Sequence, residues 1–412
     1  MRKNAVIVLV ALVAVALVFA GPTSAQKGPI KIGLITPLTG GLAPNGKDVE
    51  NGLKLFLEEQ GYKIAGREVK LFVEDDAGQP ATGLTKARAL VEGQSVHLLF
   101  GPVSAAIGYA IAPYLDGKKV PTVYPIVAGE DITQRKRSPW IVRTGWASAQ
   151  PSHPFGEYVY KTMGYKRIAM IGYDFAFGWE VAAGFQRTFE EAGGQVVQKL
   201  WPPLFNPDYA PFITQLRKDV DAIYAVFSGG DALRFARQFA ESPLKGKVPL
   251  IGGGVLTDEH VLRTMGDEVL GVVTALHYSA ALDNAPNKKF VAAYQAKYNT
   301  VPSYYSEGPY VTGIAVKAAI ESIGGDVESG EKLIAAVRRV NMADSPRGPV
   351  KFDDYGNPVQ NIYVRKVEKV GGKLQNTVIH TFPNVSQFWT YKPDDFLKNP
   401  VYSRDFPPCK HC

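Results

Sequence analysis

The sequence predicts an α/β protein built from two doubly wound lobes with a ligand-binding cleft between them. Predicted strands and helices alternate from Ile30 to Tyr124, and a second alternating series follows Trp140. Such alternation favours a parallel sheet with helices on both faces, so two series predict two sheets. A chain of 412 residues, 46% of them hydrophobic, can supply both cores. Ligands of such sheets bind beyond the carboxyl ends of the strands, which places the site in the cleft.

Hydrophobic periodicity gives the order of the elements. In the first series we predict strands at 30–35, 68–73, 96–100 and 120–124, and helices at 48–60, 81–91 and from 104 to about 115. In the second series we predict strands at 167–171, 195–200, 222–227, 249–251 and 269–276, and helices at 154–163, 178–192, 209–217, 231–240 and 258–265. Helices at 288–298, 308–323 and 331–340 have no partner strands of their own, so we expect them to complete the first lobe. Strands at 350–352, 361–367 and 377–381 follow, before an irregular tail rich in Pro and aromatic residues.

The first 25 residues have the pattern of a cleavable signal peptide. Arg2 and Lys3 precede an apolar run at 5–20, and Thr23-Ser24-Ala25 offers small residues for cleavage. The run is short for a membrane span and no comparable run follows, so we expect an exported, periplasmic protein. The net charge of +7 is not concentrated in a basic stripe, which gives little support to nucleic-acid binding.

The two cysteines, Cys409 and Cys412, lie at the end of the chain. Export favours a disulfide between them, although so small a loop would fix only the last turn. Metal binding through both thiols and His411 is the alternative. A thioredoxin-like role is disfavoured because such motifs open a helix inside a fold.

The stretch around Ser104 predicts an anion site. An apolar strand ends at Phe100, Gly101-Pro102 breaks it, and Ser104 can cap the following helix. The first N–H groups of that helix, at Ala105 and Ala106, have no intrahelical acceptor and can bind a carboxylate. The alternative is an ordinary turn with a solvated helix start.

Several motifs that would indicate catalysis are incomplete. The stretch 41–48, which contains Asn45, nearly matches a phosphate-binding loop, but Asp48 replaces the magnesium-binding hydroxyl and Pro44 lacks an N–H. Gly252-Gly253-Gly254 is too short for a dinucleotide fingerprint and instead allows close approach of a ligand or strand. Because there is also no Gly-x-Ser-x-Gly elbow and no metal-spaced histidine pair, we expect neither an enzyme nor a cofactor.

Aromatic residues mark the expected cleft. Tyr173 and Phe177 belong to an aromatic loop at the end of a strand of the second lobe, which suggests a platform for a flat ligand. Tyr305 precedes a helix expected to border the cleft. His277 stands where the chain is expected to cross between lobes, and can either face the ligand or serve the structure. For the aromatics, filling the core is the alternative.

Taken together, these features resemble type I periplasmic binding proteins, in the leucine/isoleucine/valine-binding branch that serves ABC transporters. The resemblance rests on KIGLITPLTG at 31–40, EDDAGQP at 74–80, FGPVS at 100–104, VRT at 142–144, and YD at 173–174 followed by an aromatic and Gly178. The order and spacing of these motifs are specific, and they span nearly all of the chain after residue 25.

The resemblance implies two Rossmann-like lobes that close around a solute and present it to a membrane permease. It implies three crossovers, at 143–147, 277–280 and 346–352. The N-terminal lobe would comprise 26–145 plus 280–346, the C-terminal lobe 146–279 plus 347–385, and the tail 386–412. A monomer is expected.

The resemblance also implies roles for individual residues. The carboxylate of the solute would be held at Ser104, Ala105 and Ala106 and at the loop formed by Ile126, Val127 and Ala128. From the other lobe, Phe177 would cover the solute.

Departures from the family pattern bear on the ligand. Amino-acid binders hold the ammonium with an acidic residue in the loop that here contains Gly254, and no carboxylate stands there. The usual hydroxyls at Ala105 and Ala128 are also missing. An aromatic or otherwise apolar carboxylate fits these changes, and the Cys-ended tail is similar to that of a subgroup binding benzoate- or phenylpropanoid-type acids. The alternatives are an amino acid or amide binder using Asp231 or Glu307, a periplasmic hydrolase, or a sensor domain.

Overall fold

The computed structural model describes residues 27–412, so the predicted signal peptide lies outside the described residues. Two β-sheets organise this part of the chain. The strands of the first sheet are β1 (Ile30–Thr36), β2 (Lys63–Ile64), β3 (Arg67–Asp75), β4 (Leu98–Phe100), β5 (Thr122–Tyr124) and β6 (Ile141–Arg143). Their order is β2-β3-β1-β4-β5-β6, and all pairs are parallel except β2 with β3.

The second sheet has the same parallel centre with an antiparallel extension. Its strands are β7 (Arg167–Gly172), β8 (Gln195–Leu200), β9 (Ala222–Val226), β10 (Leu250–Gly253), β11 (Val273–Leu276), β12 (Asn341–Met342), β13 (Val350–Phe352), β14 (Pro358–Val370) and β15 (Lys373–Val385). The order is β12-β13-β14-β11-β10-β9-β7-β8, with β15 paired to β14. Strand β1 lies between β3 and β4, and β7 lies between β8 and β9, so the strand order reverses between β1 and β4 in one lobe and between β7 and β9 in the other.

Twelve α-helices are described in residues 27–412. They are α1 (Ala43–Glu59), α2 (Pro80–Arg88), α3 (Ala105–Gly117), α4 (Ser152–Lys161), α5 (Ala176–Glu191), α6 (Ala210–Gln215), α7 (Gly229–Glu241), α8 (Glu259–Leu262), α9 (Ala285–Tyr298), α10 (Tyr304–Ser322), α11 (Gly330–Arg338) and α12 (Pro393–Lys398). None of them is long and apolar enough to cross a membrane.

Alternating side chains of β1 show why helices cover both faces of the first sheet. Ile32 and Leu34 join the core that α1 closes, whereas Ile35 packs in a separate core with Leu90 and with Ile107 of α3. Strand β7 divides in the same way between two cores of the second lobe. The prediction of two doubly wound lobes is therefore confirmed.

The chain passes between the sheets three times, after β6, after β11 and after α11. Helices α9 and α10 return to pack against α1 of the first lobe, as expected from their lack of partner strands. Strand β12, which the expected lobe boundaries place in the N-terminal lobe, instead pairs with β13 of the second sheet.

One fully buried arginine ties two of these passages together. The Arg347 guanidinium donates to the Thr144 carbonyl at 2.9 Å, to the Gln360 side chain of β14 at 3.0 Å, and to Glu307 of α10 through Nε at 2.7 Å. Both partners of the Arg347–Glu307 ion pair are inaccessible to solvent. The pair therefore links α10 to the passages at residues 144 and 347.

The largest differences at helix starts are in α1 and α10, which both begin earlier than predicted. Helix α1 starts at Ala43, because Pro44 fits the first turn, where an N–H has no acceptor to lose. Helix α10 starts at Tyr304, where the Ser306 hydroxyl accepts a hydrogen bond from the Ser303 N–H at 3.0 Å. Tyr305 therefore belongs to the first turn of α10 and does not precede the helix.

The tail packs on the second lobe and contains the short helix α12. Phe396 and Tyr402 are buried against Ala149 and Ala183. Cys409 and Cys412 form a disulfide, with Cα atoms 5.5 Å apart. Both thiols are thereby consumed, so the alternative of metal binding through them does not hold.

Candidate ligand-binding site

A cavity of about 250 Å³ lies between the two lobes. It is lined from the first lobe by Gly41, Leu42, Asn45, Val103, Ser104, Ala105, Ile126, Ala128, Tyr304 and Tyr305, and from the second by Trp146, Tyr173, Phe175, Phe177, Leu204, Phe205, Ser228, Gly229, Gly230, Asp231 and Arg234. Most of these residues follow β1, β4, β7 and β9. The cavity therefore forms where the switch points of the two sheets face each other.

The helix start at Ser104 forms one part of the first-lobe wall. Ser104 is the N-cap residue of α3 with extended backbone (φ −74°, ψ 132°), but among the described residues its side chain makes no capping bond. The predicted capping bond is therefore wrong, and the hydroxyl stays available to the cavity. The N–H groups of Ala105 and Ala106 lie in the first turn, where a helix offers no acceptor. The Ala106 side chain is exposed outside the cavity.

The loop after β5 contributes alternate residues, as an extended segment must. Ile126 and Ala128 line the cavity, while Val127 is fully buried in a core with Tyr124 and Ile132. The Ala128 carbonyl accepts hydrogen bonds from the Ser148 N–H and hydroxyl, both at 2.8 Å. The loop is thus held in place, and of the three residues expected to form it at the ligand, Val127 turns its side chain into the core.

Aromatic rings form most of the second-lobe wall. The Trp146 and Phe177 ring centroids lie 5.9 Å apart with perpendicular planes, and those of Phe175 and Phe177 lie 6.1 Å apart. The Tyr173 hydroxyl donates to the Ser228 carbonyl at 3.0 Å, which links the ends of β7 and β9. These contacts hold the rings as a preformed apolar surface.

Polar groups in the wall are few and buried. Asn45 is 1% exposed, and within residues 27–412 its Nδ2 has no hydrogen-bond partner. The Trp146 Nε1 is likewise buried without a partner in the described part of the chain. Burial raises the pKa of Tyr305 to about 12, so its hydroxyl is protonated at neutral pH and can donate. Unpartnered donors next to a cavity are available to a ligand.

Asp231 lies in the wall, but its carboxylate is already engaged. Its Oδ2 accepts from the Phe205 N–H at 3.0 Å, and its Oδ1 accepts from the Arg234 guanidinium at 2.7 Å. The Asp231 side chain is 3% exposed. Its charge is therefore balanced within the protein before any ligand binds.

Three residues that sequence reasoning connected with the ligand lie away from the cavity. Gly254 follows β10, away from the switch point, and a Cβ there would approach the Ala275 carbonyl to 2.5 Å. His277 is fully buried behind the wall between Trp146 and Tyr304, and burial together with nearby Arg347 and Arg365 lowers its pKa well below the usual value.

Glu307 also lies away from the cavity. Its carboxylate is consumed by Arg347. The expectation that Gly254 and His277 line the site is therefore wrong. The alternative in which Glu307 pairs with a ligand nitrogen would require Glu307 to leave Arg347.

Other lining residues were missed. Trp146 follows β6 inside a predicted crossover, and its position directly after VRT was the available signal. Leu204 and Phe205 stand among Pro202, Pro203 and Pro207, a composition that marks a loop but not the cavity it borders. Among the described residues, none from the tail lines the cavity, and no cluster of three His, Cys, Asp or Glu side chains is placed to hold a metal ion.

Comparisons with known proteins agree with this geometry. The family model described as periplasmic binding protein matches residues 29–373. A Leu/Ile/Val-binding protein homologue from Brucella melitensis is 31% identical, covering 90% of this chain and 96% of the homologue.

Solved structures of solute-binding proteins are similar to this chain over most of its length. A solute-binding protein of an ABC transporter from Rhodopseudomonas palustris BisB5, in complex with 3,4-dihydroxybenzoic acid, is 38% identical with a TM-score of 0.83, covering 88% of this chain and 99% of that one. Another from strain HaA2, in complex with p-hydroxybenzoic acid, is 32% identical with a TM-score of 0.82, covering 87% and 98%. The resemblance in the sequence motifs is thereby confirmed, and the chain belongs to the periplasmic binding protein family, as a solute-binding protein of the ABC-transporter class.

Proposed function

We propose that this protein captures a small aromatic monocarboxylate in the interlobe cavity and delivers it to the membrane permease of an ABC importer. The observation that carries the proposal is the composition of the cavity wall. One side offers unpaired helix N–H groups and the other offers a cluster of aromatic rings. The single carboxylate in the described wall, Asp231, is neutralised by Arg234.

The carboxylate end of the ligand is assigned to the start of α3. Ser104 and the N–H groups of Ala105 and Ala106 can donate to both carboxylate oxygens, and the positive end of the helix dipole favours the anion. Ile126 and Ala128 complete this end of the site with apolar surface and backbone. Hydrogen bonds to a charged acceptor contribute about 1.5–3 kcal/mol each.

The ring of the ligand is assigned to the aromatic wall. Packing against Trp146, Tyr173 and Phe177 removes apolar surface from water and contributes roughly 1.5–3 kcal/mol for a phenyl-sized group. The R. palustris proteins, crystallised with hydroxybenzoic acids, support this assignment by their similarity.

An amino acid is the second candidate ligand, because the Brucella relatives are described as Leu/Ile/Val-binding protein homologues. Its ammonium would have to take Asp231 away from Arg234, or remain buried without a carboxylate at a cost of several kcal/mol. The first candidate needs no such rearrangement.

The remaining assignments follow from the family. We assign residues 1–25 to a signal peptide that directs the protein to the periplasm. We also propose that the protein acts as a monomer and does not bind nucleic acid. No catalysis is required of it. Closing of the lobes removes the solute from water, and the closed form is what the permease would recognise.

A ligand panel tests the proposal. Thermal unfolding is followed with 4-hydroxybenzoate, 4-coumarate, leucine and an amide, and isothermal calorimetry follows for any that raise Tm. A ligand at a hundred times its Kd should add about 2.7 kcal/mol to the free energy of unfolding. We expect this from the aromatic acids. If only leucine or the amide raises Tm, the aromatic assignment is wrong, and turnover of any compound would contradict a transport role.

A further inference from the structure

The loop at residues 202–208, between β8 and α6, carries the most exposed apolar side chains of the cavity wall. Leu204 is 40% exposed and Phe205 is 53% exposed. We call this loop the lip. Exposed aromatic surface at a cavity mouth lies where a ligand enters and leaves, so the lip is placed to control exchange with solvent.

Helix α7 holds the lip in position. The Asp231 carboxylate accepts from the Phe205 N–H at 3.0 Å, and the Arg234 guanidinium donates both to Asp231 at 2.7 Å and to the Asn206 carbonyl at 2.9 Å. Phe205 has φ +58°, a left-handed conformation that is unfavourable for a residue with a side chain. Such a conformation persists only where its surroundings fix it, and Asp231 and Arg234 supply those contacts.

The lip reaches the opposite lobe. A Cβ built on Gly41, in the loop after β1, would lie 3.0 Å from Cε1 and 3.1 Å from Cζ of the Phe205 ring. The ring therefore lies directly against the Gly41 backbone, and a side chain at residue 41 would push it away. This contact between Phe205 and Gly41 joins the two lobes at the cavity wall.

We propose that Asp231 and Arg234 are positioning residues that fix Phe205 against Gly41, so that the lip retains the bound ligand. The charges of Asp231 and Arg234 balance each other, so the cavity wall beside the lip carries no net charge and suits a ligand whose far end carries no charge. This inference rests on the proposed function only in taking the cavity as the place where the solute binds.

Dissociation rates test the proposal by stopped flow, with 4-hydroxybenzoate as the probe. Phe205→Ala should raise koff about tenfold with little change in kon. Asp231→Ala should raise it by a similar factor, and the double variant should match either single variant, because Asp231 acts through Phe205. If Asp231 contacts the ligand directly, the two effects will multiply and the proposal is overturned.

Two further variants guard against misfolding as the explanation. Gly41→Ala displaces the ring from the other lobe, so it should raise koff in the wild-type background and have no effect when combined with Phe205→Ala. Arg237→Ala is the matched control, because Arg237 lies on α7 with an exposed side chain and outside the cavity wall. It should leave koff unchanged, and a rise equal to that of Asp231→Ala would contradict the proposal.

Amide hydrogen exchange, measured in the unliganded protein, tests the position of the lip without any ligand. Asp231→Ala should increase exchange at residues 204–206, while Arg237→Ala should not. If the panel shows that leucine binds and aromatic acids do not, the proposed function has failed and the same cycle is measured with leucine. The lip proposal itself fails if Asp231→Ala leaves amide exchange at residues 204–206 unchanged. It also fails if the effects of Asp231→Ala and Phe205→Ala on koff multiply in the double variant, whichever probe binds.

Discussion

The two walls of the cavity use different chemistry. The first-lobe wall around Ser104 and Ala105 offers backbone donors and small side chains, whereas the second-lobe wall around Trp146 and Phe177 offers rings. Backbone donors recognise any carboxylate, because every residue except proline carries an N–H whatever its side chain. Rings recognise shape and apolar area. The difference suggests that the first lobe selects the charge of the ligand and the second lobe selects its body.

The largest expected effect comes from placing a charge in the first-lobe wall. Ala105→Asp sets a carboxylate beside the ligand carboxylate, and like charges in a buried site cost several kcal/mol, so Kd should rise at least about 100-fold. Calorimetry with 4-hydroxybenzoate measures this. Ala110→Asp, on the exposed face of the same helix, is the control and should leave Kd unchanged. Equal Kd values for both variants would place the carboxylate elsewhere.

Removing a ring from the second-lobe wall should cost less. Phe177→Ala should weaken binding of an aromatic acid by about 1–3 kcal/mol, because packing area is lost while the donors for the carboxylate remain. Phe212→Ala is a matched control, since Phe212 is also partly buried against the second-lobe core but does not line the cavity. An unchanged Kd for Phe177→Ala would remove Phe177 from the site.

The Ser104 hydroxyl is a smaller contributor to the first-lobe wall. Ser104→Ala removes one donor and leaves the helix N–H groups in place, so we expect a loss of about 1.5 kcal/mol, or roughly tenfold in Kd. Calorimetry would measure it. A loss as large as that of Ala105→Asp would show that side chains, and not the backbone, hold the carboxylate.

The smallest expected effect is that of pH. The pKa of Tyr305 is raised to about 12, so this hydroxyl stays neutral through the physiological range, and the pKa of His277 is held well below its usual value, so that ring stays neutral as well. Backbone donors do not titrate. Affinity for 4-hydroxybenzoate should therefore change less than about twofold between pH 6 and 8. A steep transition there would indicate that a titrating group contacts the ligand.

The sequence predicts the lobes better than it predicts the site. Buried strands such as β4 and β7 have strong apolar patterns, and Ser104 and Tyr173 follow them in the expected loops. Phe177, expected in the same loop as Tyr173, lies instead in the first turn of α5. Strand order, however, is a property of the assembled sheet. Most of the cavity wall comes from the loops after β1, β4, β7 and β9, and Gly254, after β10, lies outside it although it follows a predicted strand.

Partners distant in sequence explain the other differences. The carboxylate of Glu307 is bound by Arg347, forty residues away. The carboxylate of Asp231 similarly accepts from the Phe205 N–H, which is distant in sequence, in addition to Arg234 on its own helix. A single sequence shows which residues carry charge, but it does not show which of those charges are already balanced.

The buried Arg347 affects how the lobes can move. Its guanidinium binds a carbonyl in the first passage between the lobes, a side chain of α10 and a side chain of β14, all without access to water. Movement of one of these elements is therefore transmitted to the others, because breaking a hydrogen bond of Arg347 in this water-free site costs free energy. We therefore expect the first and third passages to move together when the lobes close.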